Sequence, residues 1–100
     1  MSESEFEQYK SLKELSKSEG WTDVQFLEGL QDLINQTNSV AMFMLGDFYI
    51  KGIHVKKNVE KGLAWYIKAR DTGYADAEKE VKRWEHTAYP VDLGNGEKMK

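Results

Sequence analysis

Between Val40 and Ile50 every residue except Gly46 and Asp47 is apolar, and this run limits what the chain can become. It is far shorter than the ~20 apolar residues of a membrane span. As a helix it is apolar on nearly every side, so it has to be surrounded by other elements. Ser39 stands ahead of it as a suitable N-cap, and Gly52 behind it as a helix stop. Gly46 falls mid-helix, where glycine costs roughly 1 kcal/mol relative to alanine. That position implies a neighbouring helix that comes unusually close. The rest of the chain must supply the neighbours.

The flanking sequence supplies four more helices. Residues 4–18 open on Ser4-x-x-Glu7, a capping-box pattern, and carry Phe6, Tyr9, Leu12 and Leu15 at every third position. Gly20 is a suitable stop. Thr22-Asp23-Val24-Gln25 is a second capping box, and it opens a helix over 23–36 with Val24, Leu27, Leu30 and Ile34 as its apolar stripe, flanked by Phe26 and Leu33. Trp21, just before that cap, is placed to staple onto Phe26 or Leu27. After a link at 53–57, Asn58 caps a helix over 59–72. Leu63, Tyr66, Ile67 and Arg70 share one side of it, with Gly62, Trp65 and Ala69 on the adjoining side. Gly73 ends this helix. A last helix over 75–87 aligns Ala77, Val81, Trp84 and Ala88, with charge on its other face.

The only proline is Pro90, so no upstream helix is interrupted by that residue type. The sequence predicts one all-α domain over 1–89, a stack of about five antiparallel helices, followed by a Gly-rich polar tail at 90–100 with a turn at Gly94-Asn95-Gly96.

Several functional classes are excluded as expectations. With 17 acidic against 14 basic residues and a net charge of −3, the chain lacks a nucleic-acid footprint, and its overall charge favours a basic protein partner. There are no cysteines, hence no disulfide and no thiolate metal site. His54 and His86 are the only histidines, and no convergent ligand set surrounds either, so no metal is expected. No nucleophile-and-base arrangement or phosphate-binding glycine loop is present, so neither catalysis nor a cofactor is expected. Lys56, Lys57 and Lys61 form a small basic cluster that reads as a solvated loop. The N-terminal Met-Ser-Glu-Ser-Glu is acidic, without the apolar core of a signal peptide. A cytoplasmic protein without membrane attachment is the expectation.

The chain also matches itself at an offset of 36 residues: Thr22 falls on Asn58, Leu30 on Tyr66, Leu33 on Ala69, Ala41 on Ala77 and Leu45 on Val81. Gly46 falls on Lys82 and Tyr49 on Glu85, so the second copy exchanges its tight-packing face for charge, as the ends of solenoids do. The better-preserved stretch, 39–77, resembles a Sel-one-like repeat, a helix-turn-helix unit related to the tetratricopeptide repeat. The resemblance is carried by Ala41, Leu45, Gly46, Tyr49, Gly52, Val55, Asn58, Lys61, Trp65, Tyr66, Lys68, Ala69, Gly73 and Ala77. Gly62 and Arg70 depart from it, standing where small alanines are usual. The resemblance implies an α/α superhelical fragment whose first helices line a concave face. It also implies an adaptor or scaffold role without catalysis.

One surface follows from that orientation. If Ala41, Leu45 and Tyr49 point at the partner helix, then at about 100° per residue Val40, Phe43, Asp47, Ile50 and Lys51 turn away from it. Phe43, Asp47, Ile50 and Lys51 form one stripe, half apolar and with one charge of each sign, which is the candidate protein-binding site. The competing expectation is that helix 4–18 folds across the stripe and buries Phe43 and Ile50. A small adaptor is the leading function. A small acidic immunity protein or inhibitor that neutralises a toxin is the alternative, and a homodimeric structural subunit the second. A monomer is favoured over a homodimer, because the last helix is charged on its outer face.

Overall fold

The computed structural model describes residues 2–85. It holds five helices: α1 (Ser2–Glu19), α2 (Asp23–Asn35), α3 (Ser39–Lys51), α4 (Val59–Asp71) and α5 (Ala75–Glu85). There is no strand among the described residues, so the protein is an all-α stack. Each helix packs on the next, and α1 also packs on α3. None of these helices is long and apolar enough to cross a membrane. His86, Ala88 and the polar tail from Pro90 with its glycine turn lie outside the described residues.

Local signals placed most helix ends. Thr22 and Gln25 make both halves of a capping box: Gln25 N–H donates to Thr22 Oγ1 at 3.3 Å, and Thr22 N–H donates to Gln25 Oε1 at 2.9 Å. Asn58 caps α4 by accepting from Lys61 N–H at 3.0 Å. Gly52 closes α3 with φ of 74°, a left-handed conformation that costs glycine little. Two caps differ from expectation. Asn38, not Ser39, caps α3, accepting from the Ala41 N–H at 3.0 Å. α1 begins at Ser2, so Ser4 lies in its first turn instead of at its cap.

The two turns that lead into α3 and α5 have one hydrogen-bond pattern, 36 residues apart. Gln36 N–H bonds to the Asp32 and Leu33 carbonyls, and Thr72 N–H to those of Lys68 and Ala69. Thr37 N–H reaches Ile34 as Gly73 N–H reaches Arg70, and Asn38 N–H reaches Leu33 as Tyr74 N–H reaches Ala69. Both turns need a residue at positive φ, 61° at Thr37 and 112° at Gly73. Glycine meets that requirement in the second turn and a threonine bears it in the first.

α3 is the surrounded helix that its composition required. Val40, Ala41, Met42, Leu45, Gly46 and Phe48 are buried, and Lys51 is its one exposed residue. Its tightest neighbour is α4. A Cβ placed on Gly46 would stand 2.7 Å from the Gly62 carbonyl oxygen and 2.9 Å from Tyr66 Cδ1. A Cβ placed on Gly62 would stand 2.7 Å from the Gly46 carbonyl oxygen and 2.6 Å from Ile50 Cγ1. The two helices therefore cross backbone to backbone, glycine on glycine. Gly62, which departs from the repeat pattern, is the second half of that crossing.

The apolar stripes turned out narrower than their spacing suggested. In α1, Tyr9 is buried and Leu12 half-buried, but Phe6 is 49% and Leu15 46% exposed. Steps of three residues rotate by about 300°, so four such positions drift round half the helix and only the middle pair faces inward. In α2 the buried row is Phe26, Leu30 and Ile34, and Val24 is exposed. In α5 Ala77 and Val81 are buried and Trp84 half-buried, as the sequence predicted.

Candidate functional site

The stripe expected on α3 is assembled around one phenol from α4. Tyr66 is buried, and its ring stacks on Phe43 with centroids 4.8 Å apart and planes 19° apart. Its hydroxyl donates to Asp47 Oδ1 at 3.0 Å. The other carboxylate oxygen, Asp47 Oδ2, pairs with Lys51 Nζ at 3.1 Å. Tyr74, in the turn before α5, lays its ring against the Phe43 ring at 5.2 Å. Ile50 packs on Gly62. The four residues are thus neighbours on one flank of α3, but they are not turned away from its partner helix. That orientation is corrected by the glycine crossing. α4 meets α3 at Gly46, so positions three before and four after it, Phe43 and Ile50, border the contact.

The electrostatics of this flank centre on Asp47. Burial raises the Tyr66 phenol well above its ordinary value, and the Asp47 charge and hydrogen bond raise it further. Burial also raises Tyr9 of α1, with a second contribution from the Asp47 charge. Both phenols remain neutral donors at physiological pH, and a buried phenol facing a carboxylate has no reason to ionise. The Asp47 side chain keeps 23% of its exposure and the Lys51 side chain 58%, so the ion pair opens to solvent while the phenol beneath it does not.

The helix expected to cover this stripe docks elsewhere on α3. α1 is tied to the start of α3 by a polar latch at the buried Asn38 and Ser39. Asn38 Nδ2 donates to the Glu5 carbonyl at 3.1 Å and to Gln8 Oε1 at 2.9 Å, and Ser39 Oγ donates to Glu5 Oε1 at 2.6 Å. The rings laid against Phe43 come from Tyr66 and Tyr74, not from α1. Nothing in the apolar spacing signals this latch. An asparagine three residues before Ala41 is a cap signal, but its second role needs Glu5 and Gln8 beside it.

His54 is structural. It sits at φ of 65° in the link, with its ring 4.9 Å from both Phe26 and Phe48 and its Nδ1 2.8 Å from Asp23 Oδ1. It joins the link to the first turn of α2. Trp21 is half-buried with its ring over Gly29, 3.5 Å from where a Cβ would stand. Lys61 extends over the Tyr49 ring at 5.6 Å, beside Lys56 and Lys57 in a shallow basic hollow. Among the described residues no cluster of His, Cys, Asp or Glu is arranged to hold a metal ion.

No protein-family model, curated protein or solved structure matches this chain.

Proposed function

We propose that this chain is a non-catalytic protein-binding module, a small adaptor built on a helical repeat of the Sel-one-like kind. The 36-residue recurrence of its turns and the offset of its helices support the repeat reading. The observation that carries the binding role is the preorganised flank of α3. One buried tyrosine holds Phe43 by stacking and Asp47 by a hydrogen bond, and Asp47 in turn holds Lys51, while all three keep open surface. A ring and a charge pair that are already fixed lose little side-chain entropy on binding. Ile50 adds apolar area beside them.

Asp47 is too deeply engaged to test this reading, because its replacement strips Tyr66 of its acceptor. Lys51→Glu is the cleaner variant. It reverses an exposed charge, and the lost surface i,i+4 pair together with the new repulsion against Asp47 costs about 1 kcal/mol. The expected outcome is a melting temperature within about 8 °C of wild type and loss of a protein retained by the wild-type chain in matched affinity captures. If both chains retain the same proteins in equal amounts, the partner is not held at this flank.

A further inference from the structure

A second flank of α3 lines a cleft that the reading above does not use. Met44 and Phe48 form its floor with Phe26 of α2, and the half-buried Trp21 walls one side. Its volume is about 300 Å³, at the small end of ligand pockets and suited to one large side chain. Ile53 of the link sits at its mouth, 43% exposed.

The rim of this cleft opposes the net charge of the protein. Lys13 and Lys17 reach it from α1, both exposed and neither in an ion pair with another described residue. Among the described residues of its lining the one carboxylate, Asp23, is engaged by His54 Nδ1 at 2.8 Å. The cleft thus combines an apolar floor with two exposed cations and an acid already partnered by His54. The lysines are one helical turn apart, about 6 Å between Cβ atoms. That spacing suits two carboxylates carried on a chain better than a single small carboxylate.

We propose that this cleft binds a short acidic peptide segment, seating one large apolar side chain on Met44, Phe26 and Phe48 while flanking carboxylates pair with Lys13 and Lys17. A chain of net charge −3 favours basic partners as a whole, yet this site selects an acidic one locally. Screening shortens the reach of the global charge to about 10 Å at 0.1 M salt, so the nearest cations decide. The proposal is independent of the Phe43–Lys51 flank.

The test is titration of the ¹⁵N-labelled full chain with an eight-residue peptide holding one phenylalanine between aspartates and glutamates. Two controls accompany it, the same peptide with Asn and Gln for the acids and an acidic peptide with Gly for Phe. Saturable shifts of the Trp21 indole and the Lys13, Lys17 and Met44 amides are expected, with affinity falling about tenfold or more in Lys13→Glu/Lys17→Glu. Phe43→Leu, which leaves every charge in place, should bind the peptide as the wild type does, which separates this site from the other flank. The proposal is overturned by any of three results: no shifts at millimolar peptide, equal binding of either control, or full affinity in the lysine double variant. Self-association of the free chain that the double variant abolishes would also overturn it, by naming a second copy as the occupant.

Discussion

α3 is held on one side by α4 and on another by α1, and the two contacts work differently. At α3–α4 the main chains meet, with Gly46 and Gly62 each leaving no room for a methyl group. At α1–α3 the helices are joined by the Asn38, Ser39, Glu5 and Gln8 hydrogen bonds, with Tyr9 beneath them. A backbone contact cannot be repacked by rotating a side chain, whereas a latch of hydrogen bonds opens without disturbing either helix. The first contact sets the geometry of the site. The second sets how firmly α1, the wall that carries Lys13 and Lys17, is held against it.

The largest effect is expected from Gly46→Leu. Its side chain has to displace the Gly62 backbone, so destabilisation should reach about 3 kcal/mol, at the upper end of overpacking. At 4–8 °C per kcal/mol, roughly the range for small domains, the melting temperature should fall by more than 10 °C. An unaltered melting curve would show that the crossing is not as close as it stands here.

Asn38→Ala tests the latch. It removes the α3 cap and both bonds to α1, and about 1–2 kcal/mol should be lost. Hydrogen exchange should quicken across α1 and at the uncapped first turn of α3, and stay slow in the rest of α3 and in α4. If α1 and α4 lose protection together, the two contacts are one cooperative unit and the contrast between them fails.

Tyr66→Phe should cost about 1.5 kcal/mol at neutral pH, the low end for a hydrogen bond to a carboxylate, because Asp47 keeps its Lys51 partner and some solvent. The same variant has a pH signature. The Tyr66, Tyr9 and Tyr74 phenols all lie above the ordinary value of 10.0 in the folded chain, each chiefly through burial. Above that value the unfolded chain releases these protons and the folded chain keeps them, so stability is full below pH 10 and falls as pH rises. Denaturant unfolding at stepped alkaline pH should show that fall, and Tyr66→Phe should flatten it. An equally steep fall in the variant would place the sensitivity at other groups.

The smallest effect belongs to Gly29→Ala, in the α1–α2 seam. A Cβ there would come to 2.5 Å from Leu12 Cδ1, but that atom ends a flexible side chain and can swing aside. The gain of about 1 kcal/mol in helix propensity offsets the adjustment, so thermal scans should place the variant within about 0.5 kcal/mol of wild type. A loss as large as that of Gly46→Leu would mean that side-chain and backbone obstruction are equivalent here.

By itself the sequence determined what depends on neighbours along the chain. The Thr22 capping box, the Asn58 cap, the Gly52 stop and the need to surround residues 40–50 follow from propensities and hydrogen bonds spanning a few positions. The offset of 36 was legible for the same reason, since it compares one local pattern with another. Tertiary structure decided what depends on residues far apart. It turned Phe6 and Val24 outward, because several apolar positions on one helix compete and only packing selects the face. It matched Gly46 with Gly62, gave Asp47 to Tyr66 and His54 to Asp23, and used Asn38 to hold α1. It also set Lys13 and Lys17 at the rim of the Met44–Phe48 floor, making a basic rim on an acidic protein. A net charge is a sum over the chain, whereas a binding site answers to the few charges that folding brings within a Debye length.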